Sequence, residues 1–123
     1  MDGTAPPETA PKTCGWVGEI LNRVGDKWTV QVVVALRYQP RRFNDLKRQV
    51  GGISQQMLTR TLRTLERDGL VRRTVCPTTP PQVEYALTDL GQSLSVPLRQ
   101  MAQWAIAHSD LIHDNRSKFD ARL

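Results

Sequence analysis

Apolar positions along the chain follow two rhythms. From Cys14 to Val24, Val17, Ile20, Leu21 and Val24 recur at intervals of three and four, which predicts a helix ended by Gly25. Asp26 is placed to cap a second helix, Lys27 to Arg37. Pattern and propensity conflict there. Val30, Val32, Val33 and Val34 favour a strand, whereas Trp28, Val32, Ala35 and Leu36 share one helical face. The cap decides for a buried helix. After the break at Pro40, Phe43, Leu46 and Val50 line one side of a short third helix that stops at Gly51-Gly52. Ser54 caps a fourth helix, Gln55 to Asp68. Met57 stands where Glu or Gln would complete a capping box, and Gly69 takes the position just past the helix end.

The rhythm then shortens to two. Val71-Arg72-Arg73-Thr74-Val75 and Val83-Glu84-Tyr85-Ala86-Leu87 alternate around a loop carrying Pro77, Pro80 and Pro81, which predicts a hairpin. Thr88 caps a long last helix with apolar residues at Leu90, Leu94, Leu98, Met101 and Ala105. Pro97 is expected to kink or split it. Residues 1–12, with three prolines among small and polar neighbours, read as a disordered tail, and 115–123 as a polar tail. The domain between them, 13–114, is mainly α with a small β-hairpin (α+β). Two short helices joined by Gly51-Gly52 and followed at once by a hairpin make a winged helix-turn-helix, here with flanking N- and C-terminal helices that can serve dimerisation.

Composition narrows the class. The 123 residues suit one domain. No apolar run approaches the ~20 residues of a membrane span, the longest being Val32–Leu36. The N-terminus lacks the basic start and apolar centre of a signal peptide, so a cytoplasmic protein with no membrane partner is expected. Two cysteines exclude a disulfide framework and a four-cysteine zinc site. His108 and His113 are five apart and share no helical face, so no metal is expected. Without a Gly-rich phosphate loop or a nucleophile elbow, no enzyme and no cofactor is expected.

Charge gives the strongest hint. Between Arg41 and Arg73 stand nine basic residues and three acidic ones, a surplus of six. The rest of the chain has eight bases and nine acids. Such clustering is the footprint of a phosphate-bearing partner, although a solvated face would look the same by charge alone. On a helical wheel Leu58, Leu62 and Leu65 fall in one arc, expected to pack on the third helix and the hairpin. Nearly opposite lie Gln56, Thr59, Arg60, Arg63 and Arg67, with no apolar residue and no acid. Arg bonds guanine, Gln bonds adenine, and Thr reaches phosphate or a thymine methyl. Base reading is therefore assigned to Gln55, Gln56, Thr59, Arg60 and Arg63 beside the cap Ser54, and phosphate holding to Arg67. Arg41 and Arg42, ahead of the third helix, are expected to anchor phosphates. Arg72 and Arg73 are adjacent on a strand and must point to opposite faces, so one approaches DNA and the other meets solvent or Glu84.

Several stretches together resemble the HxlR-type bacterial regulators. They are Cys14, Gly25-Asp26-Lys27-Trp28, Arg42-Phe43-Asn44-Asp45-Leu46, Gly52 to Leu58, Leu62 to Arg73, and Pro80 to Gly91, with Trp104 in the last helix. The likeness covers about residues 14–106. It implies a homodimeric winged-helix transcription factor on double-stranded DNA. Gln82 stands where that family often has a basic residue, and Cys76 is outside its pattern.

Cys14 matches a position where some members carry a sensing thiol. At the start of a helix the dipole would favour its thiolate, and an oxidant or small electrophile would be the effector. A small buried hydrophobe is the alternative. Leu94, Leu98, Met101, Trp104 and Ala105 exceed what so small a domain can cover and are expected to form a dimer interface. Two recognition helices about 34 Å apart would then read a near-palindromic operator. A winged-helix module that docks a partner protein is the rival reading, and a sensor with only a secondary DNA role is another.

Overall fold

A computed structural model describes residues 10–122, with side chains described from Gly15 onward. The elements run α1 (Ala10–Val24), α2 (Lys27–Leu36), β1 (Arg41–Arg42), α3 (Phe43–Gln49), α4 (Gln55–Arg67), β2 (Val71–Cys76), β3 (Gln82–Leu87) and α5 (Asp89–Asp120). The strands form one antiparallel sheet in the order β1-β3-β2. This is a mostly helical winged-helix fold with a three-stranded wing.

The conflict in the second element resolves as expected. The Asp26 carboxylate accepts from the backbone N–H groups of Trp28 and Thr29, both at 3.1 Å, and starts α2. This helix touches α1, α3, α4, α5 and β3. An element surrounded in this way can be apolar on more than one face, so burial overrides the strand propensity of its valines. Val32, Val33 and Leu36 form the centre of the core with Leu46 and Val50 of α3 and Leu58, Leu62 and Leu65 of α4. The leucine arc of α4 shares this core with α3 and the hairpin, and α4 also packs on α2 and β2. Each of these side chains contributes roughly 1.5–3 kcal/mol by leaving water.

Five expectations change. β1 is only two residues long, too short for alternation to reveal, and exists because Arg41 and Arg42 pair with Tyr85 and Glu84 of β3. α1 starts at Ala10, so residues 10–12 are helical; the rest of the expected N-terminal tail lies outside the described residues. α5 passes through Pro97 as one 32-residue element, the missing N–H removing a single helical bond. It also runs on through residues 115–120, where a Lys118–Asp114 ion pair at 3.2 Å lies one turn apart along its surface. Finally, Leu98, expected at a dimer interface, is 1% exposed and belongs to the core, with Leu94 half-buried against it.

The corner between α4 and β2 is fixed twice over. Gly69 adopts φ +76°, a left-handed conformation suited to glycine. The N–H of Gly69 reaches the Glu66 carbonyl at 3.0 Å and that of Leu70 reaches Leu65 at 2.9 Å, closing a Schellman motif. The Thr88 hydroxyl donates to the Gly69 carbonyl at 2.6 Å and accepts from the Gly91 N–H at 3.1 Å. The Leu70 carbonyl also accepts from the Thr88 N–H at 3.1 Å. Gly91 allows this approach, since a Cβ there would stand 2.1 Å from the Leu70 carbonyl oxygen. The start of α5 is thereby bolted to the end of α4.

Candidate nucleic-acid interface

The outer side of α4 is built from a helix held at both ends. At its start the Ser54 Oγ accepts from the Met57 N–H at 3.0 Å, which leaves the hydroxyl proton available to a phosphate. At its end stands the Gly69 corner. Between them the buried leucines fix the rotation of the helix about its axis. Gln55, Gln56, Thr59, Arg60 and Arg63 are consequently all exposed, and with Ser54 they line one shallow open depression. Arg67 is exposed at the C-terminal end of the same helix. Among the described residues, none of Arg60, Arg63 and Arg67 forms an ion pair. Their donors remain open to an external acceptor.

The sheet register sorts the four strand arginines. Residues directly opposite in neighbouring strands share a face. Arg41 and Arg73 both lie opposite Tyr85, on the side of the sheet that also carries Val71 and Leu87. Arg42 lies opposite Glu84, and Arg72 lies opposite Ala86 on that same outer side. Arg72 and Arg73 therefore do point apart, and both are exposed. Glu84 faces Arg42 and Thr74 across the strands, not either of those two arginines.

Arg41 departs from its expected role. Its Nε donates to the Ala35 carbonyl at 2.8 Å, near the end of α2. The Gln49 amide, with its oxygen turned toward the guanidinium, accepts from the two terminal nitrogens at 2.8 and 3.1 Å. This arginine ties α2 to α3 and is half-buried, so it is set apart from the exposed cationic surface. Arg42, one residue on and facing the other way, is exposed and forms no side-chain cap on α3. The sequence lacked the signal to separate them because β1 was invisible in it.

Opposite in character are α1 and α5. Met101 and Trp104 are exposed, the latter 58%, as is Ala105. They have companions on both helices. Trp16, Val17, Ile20 and Leu21 of α1 are exposed, Trp16 at 67%, and so are Ile106, Leu111 and Phe119 further along α5. The spacing of α1 predicted an apolar face but could not say whether the same chain covers it. Cys14 is the fifth residue of α1 rather than its first, just past the first turn, in which the N-terminal dipole acts. Its side chain lies outside the described residues. Cys76 is half-buried and free at the end of β2. No helix among the described residues is long and apolar enough to cross a membrane, and no three of their His, Cys, Asp and Glu side chains cluster as metal ligands would.

Comparison with known proteins bears on this arrangement. A family model described as HxlR-like helix-turn-helix matches residues 23–112. Over 86 residues the chain is 44% identical to the HTH-type transcriptional regulator YtfH of Escherichia coli K12, covering 70% of this chain and 68% of that protein. The solved structure of the transcriptional regulator ytfH from Salmonella typhimurium superposes with a TM-score of 0.76 at 39% identity, over 82% of this chain and 90% of that one. The redox regulator HypR in its reduced form superposes with a TM-score of 0.73 at 37% identity, over 80% of this chain and 97% of that one.

Proposed function

Because the chain belongs to the HxlR-like helix-turn-helix family and is a transcriptional regulator with a helix-turn-helix DNA-binding fold, we propose that it acts as a homodimer on a near-palindromic operator. α4 enters the major groove. Gln55, Gln56, Thr59, Arg60 and Arg63 read base edges, while Ser54, Arg42, Arg67 and one of the pair Arg72 and Arg73 hold phosphates. The carrying observation is the outer face of α4: exposed, free of apolar side chains, with a single acid, Glu66, at its edge, and held at both helix ends. A face meant to dock a partner protein would carry aromatic or aliphatic anchors, and this one has none. The second copy is supported by the uncovered apolar side chains of α1 and α5, more than a lone domain leaves in water without reason.

The test is a salt series on random duplex DNA. A protein that neutralises several phosphates loses affinity with a log–log slope of about −0.9 per phosphate. A flat response, or no binding at low salt, overturns the reading.

Regulation through Cys14 is the finer part of the proposal. It draws support from the similarity to a redox regulator rather than from the helix dipole. Diamide or a quinone is expected to change operator affinity of the parent protein and to leave Cys14→Ser unresponsive. An equal response in the variant removes Cys14 from the mechanism.

A further inference from the structure

A cavity of about 520 Å³ lies where α1, the α4–β2 corner and the start of α5 converge. Its walls are apolar, with Trp16, Ile20 and Val24 from α1, Leu70 from the corner, and Leu90 and Pro97 from α5 among them. The size falls within the range of small-molecule sites, which typically combine apolar walls with a few polar groups. Three charged side chains complete the lining: Glu19, Arg23 and Asp68. Arg23 and Asp68 neutralise each other in an ion pair that joins α1 to the cap residue of α4. Among the described residues Glu19 has no such partner. The described lining of the cavity therefore offers an apolar interior, an indole and a surplus of one negative charge.

We propose that this cavity binds a small lipophilic cation, an apolar ring system carrying one positive charge, as an effector of the protein. Apolar walls favour the ring system through lost water contact. Glu19 and the face of Trp16 favour a cation over an anion or a neutral molecule of the same shape. Occupancy would also be felt at the recognition helix. The cavity is bounded by Asp68 and Leu70, the cap and the first core residue after α4, so a ligand that displaces α1 acts on the Arg23–Asp68 link. The binding claim itself is independent of the DNA-binding reading, because it is tested without DNA.

The experiment titrates the full chain with two fluorescent probes of similar size and opposite charge, berberine (a fused aromatic cation) and 8-anilinonaphthalene-1-sulfonate. Saturable binding is expected for berberine and markedly weaker binding for the sulfonate. Glu19→Gln is expected to weaken berberine about fivefold, near the upper limit for one exposed charge, and to leave the sulfonate unweakened. Ser93→Trp, which puts an indole into the cavity lining from an exposed position on α5, should reduce berberine binding more than tenfold while Tm is kept. Equal or tighter binding of the sulfonate overturns the proposal, as does berberine binding that neither variant changes. If neither probe binds the parent chain, the proposal also falls.

Discussion

The outer face of α4 and the outer faces of α1 and α5 are both exposed, yet they are exposed for opposite reasons. The α4 face presents Gln, Thr and Arg, groups that water satisfies fully. The α1 and α5 faces present Trp16, Ile20, Met101, Trp104 and Ile106, the last 77% exposed, groups that water disfavours. A polar cationic face is stable alone and gains from a polyanion, through release of the counterions around it. An apolar face gains only by meeting another apolar face. One domain thus carries two unfilled surfaces that cannot substitute for each other, and the surplus of positive charge sits on the first and the elements around it.

The largest expected effect breaks the apolar side. Met101→Asp combined with Trp104→Asp should remove about 3–6 kcal/mol of association free energy, from two large side chains, and turn dimer to monomer in sedimentation equilibrium. An unchanged mass would show that α5 is not the interface. Next comes the joint between the two regions. Gly91→Ala drives a methyl into the Leu70 carbonyl and should destabilise the fold by about 1–3 kcal/mol, read as a lowered Tm. A neutral result would mean that α5 and the α4 corner are not rigidly joined. On the polar side, Arg60→Ala should cost about 1–3 kcal/mol in operator binding and relax preference at one base position. An equal loss on every sequence would make Arg60 a phosphate contact. The smallest effects compare neighbours. Arg42→Gln should reduce the salt slope by about one and leave Tm unchanged. Arg41→Gln should do the reverse, costing about 0.5–1.5 kcal/mol of stability through the lost bond to Ala35. Matching behaviour of the two would erase the distinction drawn from the sheet register.

Much of the α4 side was legible in the chain itself. The period of Leu58, Leu62 and Leu65 orients the helix, and orientation alone places Gln56, Thr59, Arg60 and Arg63 outward. Ser54 and Gly69 mark its ends through local backbone geometry, which needs no distant partner. The apolar side was half legible. Spacing showed that α1 and α5 have apolar faces, but Leu98 turned inward to the core while Met101 and Trp104, three and six residues on, turned outward. Where the domain ends along α5 depends on how far α2 and the wing reach, and no local signal encodes that.

The chain by itself therefore determined the central span of each helix, the capping residues, the hairpin and the outward face of α4, because each follows from hydrogen bonds and periodicities within a few residues. The tertiary structure decided the rest. It made β1 a strand by supplying β3 as its partner, and so turned Arg41 toward Ala35 and Arg42 toward solvent. It drew Arg23 to Asp68 across 45 positions and enclosed a cavity behind that pair. Such outcomes depend on which surfaces meet when the core closes. Contacts between distant residues carry no periodicity of their own for a sequence to display.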